Sequence, residues 1–127
     1  MLPPIASHSN AYALCPVSRN LRDTQIDALI KKGGLIGLNL TDTFLRYGGG
    51  ASIEDAVRHI EYFLSRDAAS ALSLGCDFDG TTTPKELSSP SRLFLLAEAL
   101  FKRNYSEKTV RAIFFDNAYR FAKKYIH

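Results

Sequence analysis

The fold of this chain is decided by the stretch Leu35-Ile36-Gly37-Leu38-Asn39-Leu40. Its apolar residues run almost without interruption, which is typical of a strand whose two faces are both buried in a parallel sheet. The pair Gly33-Gly34 is a clear stop for the helix before this stretch, and the turn Gly48-Gly49-Gly50 leads into the helix after it. We therefore predict that the stretch is one strand of a parallel sheet with helices on either side of it in the chain.

Two further strand-then-helix units flank this one. Residues 4–7 and residues 71–75 are short apolar runs that predict two more strands. The resulting order of strands and helices, βαβαβαα, implies parallel strands joined by helical crossovers. A complete (β/α)₈ barrel takes at least about 200 residues, so the 127 residues present predict an open three-layer sheet or a slice of such a barrel.

The helices are predicted from their apolar spacing and from the residues at their ends. Asp23 is a plausible N-cap for the first helix, and Ser52-Ile53-Glu54-Asp55 resembles a capping box for the second. In the last helical region we expect Asp116-Asn117 to interrupt the helix and start a new one. His59 lies in the middle of the second helix beside Arg58, and we expect it to be a surface residue.

Composition narrows the classes of function. An apolar content of 46% with 23% charged residues indicates a folded protein. The net charge of +3 comes from scattered basic residues without a basic stripe, so no nucleic-acid partner is expected. No stretch approaches the roughly 20 apolar residues of a membrane span, and no signal peptide is visible. Cys15 and Cys76 form no CxxC pair and are expected to be buried thiols, which favours a reducing, cytoplasmic setting.

Polar residues that could carry chemistry follow each predicted strand. The first strand ends at His8, the second runs into Asn39-Leu40-Thr41-Asp42, and the third runs into Asp77-Phe78-Asp79-Gly80. The carboxyl ends of neighbouring parallel strands meet at one edge of a sheet, and imidazole and carboxylate are both zinc ligands. Spacing alone nevertheless favours structural roles, because a histidine after a strand is usually hydrogen-bonded and paired aspartates can simply order a turn.

The order of several short sequence motifs along the chain is more specific than any one of them. The pattern consists of blocks in a fixed order: Ser7-His8-Ser9-Asn10-Ala11, Ser18-Arg19-Asn20-Leu21, Gly33 to Asn39, Ala51 to Ile60, Leu74 to Gly80, Arg103 to Glu107 and Asp116 to Arg120. In this order the blocks resemble the membrane (renal) dipeptidase family, whose members are zinc-dependent dipeptidases on a (β/α)₈ barrel. The resemblance covers nearly the whole chain, which makes it specific.

The resemblance implies roles for three residues. His8 matches a zinc ligand at the end of the sixth barrel strand, and Arg19 matches the arginine that grips the C-terminal carboxylate of a dipeptide. Asp77 matches the catalytic aspartate, which in the family takes a proton from a hydroxide bridging two zinc ions and delivers it to the leaving amine. Asp79 receives no role from the resemblance.

The resemblance also implies that residues 1–127 form a single partial domain, the C-terminal part of the barrel with about strands six to eight. The family's remaining metal ligands, a His-x-Asp pair, a bridging glutamate and another histidine, would then lie before residue 1. The chain alone is therefore expected to bind zinc weakly and to be inactive on dipeptides. Two open sheet edges would favour self-association or pairing with an N-terminal half.

Two alternatives stay open from the residues. Asp77-Phe78-Asp79-Gly80-Thr81 also resembles the nucleophile loop of haloacid-dehalogenase-type phosphatases, in which the first aspartate attacks phosphate and magnesium holds it. That fold needs further strands after the loop, whereas the residues that follow predict helices. The second alternative is a non-catalytic remnant that acts as an interaction or structural module.

Overall fold

A small parallel sheet organises the computed structural model, which describes residues 3–75 and 83–126. Strand β1 (Ile5–Ala6) pairs with β2 (Leu35–Leu38), and β2 pairs with β3 (Leu72–Leu74), so that β2 is the central strand. The register places Ile5 opposite Leu35, and Leu38 opposite Leu74. The prediction of three parallel strands is confirmed, although each strand is shorter than predicted.

Helices connect the strands and complete the chain. They are α1 (Asp23–Lys31), α2 (Asp42–Leu45), α3 (Ile53–Ser65), α4 (Leu93–Lys102), α5 (Glu107–Arg111) and α6 (Asn117–Tyr125), with 3₁₀ turns at Lys85–Leu87 and Pro90–Arg92 and a π turn at Ala112–Asp116. None of the helices in the described ranges has both the length and the apolar content that would let it cross a membrane.

The hydrophobic core lies between the sheet and the helices. It is built from side chains of β2 and β3 and from one face of each long helix: Ile26, Ile36, Leu38, Leu72, Ala56, Ile60, Phe63, Leu96, Leu100 and Ile113, all of them buried. Full burial of one such aliphatic side chain contributes on the order of 2 kcal/mol. The core therefore holds the helices that contribute to it against the sheet and sets the position of the strand ends.

Of the two predicted helix starts, that of α3 is confirmed and that of α1 differs. Helix α3 begins with the predicted capping box, because the Ser52 amide donates to the Asp55 carboxylate at 2.9 Å. At α1 the prediction of Asp23 as N-cap is wrong. Arg22 holds that position, and its amide donates to Oε1 of Gln25 at 2.8 Å. Gln25 thus satisfies the Arg22 amide in the way that a glutamine or glutamate at the third helical position does in a capping box.

The predicted interruption at Asp116-Asn117 is also wrong, because the helix continues through the π turn into α6. Asn117 is buried, and its Nδ2 donates to the carbonyls of Ala69 and Leu72, each at 2.8 Å. This amide ties the last helix to the segment that leads into β3. A helix breaker was predicted because asparagine commonly occurs at helix ends, but here the side chain satisfies two carbonyls of a neighbouring segment.

Candidate functional site

His8 lies two residues after the end of β1, at the carboxyl end of the sheet. The chain turns here because the Ser9 amide donates to the Gly37 carbonyl of β2 at 3.0 Å. The turn also needs two glycines. A Cβ added to Gly37 would lie 2.3 Å from the Ser7 carbonyl oxygen, and one added to Gly75 would lie 1.9 Å from the same atom. Small residues on β2 and after β3 thus make room for the Ser7–His8 peptide.

The His8 imidazole is half-buried, and one of its two nitrogens is engaged. Nδ1 lies 2.9 Å from Oγ of Ser7, while Nε2 has no hydrogen-bond partner among the described residues. A neutral imidazole with one free nitrogen can donate its lone pair to a metal ion. The geometry therefore leaves His8 available as a ligand.

Arg19 lies in the loop between β1 and α1, and its side chain is exposed. The guanidinium carbon stands over the ring of Phe44 at 5.7 Å from the centroid, within the range of a cation–π interaction. Its nitrogens make no hydrogen bond or ion pair with another residue in the described ranges. The contact with the Phe44 ring thus positions the Arg19 side chain, and the guanidinium N–H groups have no partner among the described residues.

Three buried asparagines link the loops that carry these residues. Oδ1 of Asn10 accepts from the Asn39 amide at 2.8 Å, and its Nδ2 donates to the Asn39 carbonyl at 2.7 Å and to the Phe44 carbonyl at 3.3 Å. Asn20 donates to the same Phe44 carbonyl at 2.9 Å and to the Cys15 carbonyl at 3.0 Å. Buried amides that satisfy several backbone groups in this way hold irregular segments in one arrangement.

Like the asparagines, His59 binds backbone groups of the loops around the site. The prediction that it is a surface residue is wrong. It is only 1% exposed. The Ala11 amide donates to its Nδ1 at 3.1 Å, so the ring proton lies on Nε2 and is donated to the Leu45 carbonyl, 2.9 Å away. Burial lowers the pKa of the His59 imidazole, against smaller opposing effects of the Leu45 carbonyl and the Asp55 carboxylate. The sequence suggested exposure because Arg58 precedes it, but helix α3 turns residue 59 inward.

The lowered pKa of His59 gives a pH-dependent stability. The unfolded chain, with an imidazole pKa of about 6.5, binds the proton more readily than the folded chain. We therefore expect the free energy of unfolding to be fully retained above about pH 6.5 and to decrease as the pH falls below that value, by at most about 1.4 kcal/mol per pH unit. Urea unfolding between pH 5.5 and 7.5 measures this slope.

The matched control is His59→Gln, because a glutamine amide can accept from the Ala11 amide and donate to the Leu45 carbonyl without titrating. The decrease below pH 6.5 should be smaller in this variant than in the wild-type chain. Equal slopes for the two proteins would show that His59 does not couple folding to protonation.

The polar residues after β2 have structural partners. The carboxylate of Asp42 accepts from the amides of Gly50 and Ala51, which fixes the glycine turn before α3. Asp42 is therefore occupied in holding a loop.

Cys15 is buried as predicted, and its Sγ donates to the Thr43 carbonyl at 3.3 Å. Burial raises the pKa of its thiol, and the nearby Asp55 adds to this effect.

The predicted catalytic Asp77, with Cys76 and Asp79, lies outside the described residues. Within the described ranges there is no group of three or more His, Cys, Asp or Glu side chains that could hold a metal ion. A structural or catalytic zinc site takes three or four protein ligands. The imidazole of His8 is chemically suited to be one of them, and the other donors are not found in the part of the chain that is described.

A comparison with protein families finds one match that spans almost the whole sequence. The model of the membrane dipeptidase family, peptidase family M19, matches residues 1–125. The block order noted above is thereby placed in a defined family.

Two curated relatives match most of this chain. An uncharacterized protein in the pqqA 5′ region of Klebsiella pneumoniae is 37% identical over 125 residues, which are 95% of this chain and 46% of the relative. An uncharacterized dipeptidase of Schizosaccharomyces pombe is 32% identical over 126 residues, or 96% of this chain and 30% of the relative. The chain thus spans less than half the length of these relatives.

Two solved metallopeptidases superpose on nearly the whole of this chain. A metallopeptidase from Rhodobacter sphaeroides, solved with a phosphinate mimic of the dipeptide L-Ala-D-Ala, superposes with a TM-score of 0.89 at 32% identity, over 96% of this chain and 36% of that one. The dipeptidase AC of peptidase family M19 gives a TM-score of 0.90 at 32% identity, over 96% of this chain and 37% of that one.

Proposed function

This chain belongs to the membrane dipeptidase family, peptidase family M19, and we propose from this that it supplies part of the active site of a zinc-dependent dipeptidase. The single observation that carries the proposal is the position of His8 together with the absence of a partner for its Nε2 among the described residues. The residue lies at the carboxyl end of a parallel sheet, where barrel enzymes hold their catalytic groups, and its Nε2 has no partner among the described residues.

The roles proposed for this chain concern binding and proton transfer. His8 acts as one ligand of the metal through Nε2. Arg19 binds the C-terminal carboxylate of the dipeptide, since a guanidinium edge pairs two N–H donors with the two oxygens of that anion. Asp77 accepts a proton from the attacking water and donates it to the leaving amine. Zinc, when bound, lowers the pKa of that water and polarises the peptide carbonyl.

We further propose that the chain corresponds to about strands six to eight of a (β/α)₈ barrel. Strands β1 and β3 are at the edges of the described sheet, each paired on one side only. Ile5 on β1 is 48% exposed, although apolar strand residues are usually covered. Unpaired edges of this kind recruit further strands. The partner that fits is a polypeptide with the N-terminal part of the same barrel.

The isolated chain is expected to show no hydrolysis of dipeptides such as L-Ala-D-Ala, even with excess zinc. One imidazole with the carboxylates after β3 falls short of the ligand set that a catalytic zinc requires. Purified chain assayed for release of alanine tests this, with zinc binding followed by isothermal titration calorimetry. Weak zinc binding that disappears in His8→Ala supports the proposal, whereas turnover that depends on His8 and Asp77 would show that this chain carries a complete site.

The two alternatives gain no support. The described residues after 83 form helices and contain no strand, whereas the phosphatase fold places essential residues on later strands. The relatives that match include a dipeptidase of Schizosaccharomyces pombe and two metallopeptidases of known structure. Nothing in the fold or in these relatives favours a purely structural module.

A further inference from the structure

We propose that Phe44 is a positioning residue for Arg19 and that its ring sets the direction in which the guanidinium meets a substrate carboxylate. This inference rests on the proposed function of Arg19. It starts from the cation–π contact of 5.7 Å between the two side chains. Arg19 comes from the loop before α1 and Phe44 from α2, so the contact joins two segments that are distant in sequence.

The backbone of Phe44 is held firmly enough to serve as a platform. Its carbonyl accepts from Nδ2 of Asn20 at 2.9 Å and from Nδ2 of Asn10 at 3.3 Å, and both asparagines are buried. Asn20 is the neighbour of Arg19 in the chain. The same asparagine therefore fixes the backbone beside the arginine and the backbone that carries the ring.

A cation–π contact leaves the N–H donors of a guanidinium free for another partner. The attraction acts between the positive charge and the face of the ring and uses none of these donors. In the described part of the chain none of these donors has an acceptor. A guanidinium with free donors can pair two parallel N–H groups with a planar anion such as a carboxylate.

The ring also lowers the entropic cost of binding. An arginine side chain that is free in solvent loses rotamer entropy when a ligand fixes it. Contact with Phe44 restricts Arg19 before the ligand arrives, so that less freedom is lost on binding. Phe44 therefore strengthens carboxylate binding without touching the ligand.

The chain itself supplies a matched control. Arg22 stacks over the ring of Tyr12 at 4.2 Å from the centroid, and Arg22, like Arg19, is exposed. The family resemblance gives Arg22 no role. Removing the Tyr12 ring thus breaks a comparable cation–π contact in the same loop without affecting Arg19.

The test is a nuclear magnetic resonance titration of the full chain with N-acetyl-D-alanine, followed at Nε–H of Arg19. The amide of the same compound, which lacks the carboxylate, serves as the negative probe. We expect Phe44→Leu to weaken binding about three-fold, Phe44→Tyr to restore it, and Tyr12→Leu to leave it unchanged. In the ligand-free chain, the upfield ring-current shifts of the Arg19 side-chain protons should disappear in Phe44→Leu and persist in Phe44→Tyr.

The outcomes separate this inference from the proposed function. If Arg19→Gln abolishes carboxylate binding while Phe44→Leu binds as tightly as wild type, the inference about Phe44 is wrong and the role of Arg19 stands. If Arg19→Gln binds like wild type, or wild type gives no carboxylate-dependent shift, the proposed role of Arg19 fails and the inference falls with it. Thermal unfolding of each variant shows that the fold is retained.

Discussion

Replacing Asn10 with leucine is expected to lower the free energy of unfolding by about 3 kcal/mol or more. The two side chains are similar in size, but leucine leaves the amide and the carbonyl of Asn39 without their hydrogen-bond partner. It also removes one of the two hydrogen bonds that the Phe44 carbonyl accepts. Each buried polar group left unsatisfied costs about 1–3 kcal/mol. Urea denaturation followed by circular dichroism measures the loss.

Thr41→Val is the matched control for this prediction. Oγ1 of Thr41 is buried and has no hydrogen-bond partner among residues 3–75 and 83–126. Replacing an unpaired hydroxyl with a methyl group removes a desolvated polar atom without breaking a hydrogen bond, so stability should be unchanged or higher. Equal losses for Thr41→Val and Asn10→Leu would contradict the distinction between satisfied and unsatisfied polar groups at this site.

The second large effect is expected for substitutions of Asp77 and Arg19 in a hybrid barrel. In this hybrid, the present chain replaces the 36% of the Rhodobacter sphaeroides metallopeptidase on which it superposes. Asp77→Asn should lower kcat for L-Ala-D-Ala by about 10³-fold, because an amide cannot shuttle the proton from water to the leaving amine. Arg19→Gln should mainly raise KM, since the carboxylate contact is made in the ground state as well as in the transition state.

Steady-state kinetics on the two variants distinguishes the roles. Arg58→Gln is a suitable control, since the exposed Arg58 pairs with the buried Asp55 at 3.2 Å and has no assigned role in the site. This control should leave kcat and KM unchanged. If Asp77→Asn retained the activity of the hybrid, the aspartate would not be the group that moves the proton.

Much of the fold could be predicted from the sequence, because its signals are local. The apolar stretch at residues 35–40 and the paired glycines before it indicate a buried parallel strand, and Ser52 with Asp55 marks the start of α3. The strand ends and the continuation of the last helix could not be predicted. They depend on contacts such as that of Asn117 with the Ala69 carbonyl, which join segments far apart in sequence.

The hydrogen bonds that hold the loops of the candidate site could not be predicted from the sequence. His8 and Arg19 stand in motifs that match a family, so they could be singled out by resemblance. The asparagines at 10 and 20 lie within the same motifs, yet nothing in their spacing indicates that both bind the carbonyl of Phe44. His59 was missed because a histidine beside an arginine on a helix is typical of a solvated face. Its partner, the Ala11 amide, is 48 residues away in the chain.

The central claim is that this chain carries working parts of a dipeptidase site, and the most direct test is the rate of L-Ala-D-Ala hydrolysis by the hybrid barrel with zinc. We expect turnover that requires zinc and that is lost in His8→Ala, together with a lower zinc content of that variant. A folded, zinc-loaded hybrid without turnover, or one whose turnover persists in His8→Ala, would contradict this claim.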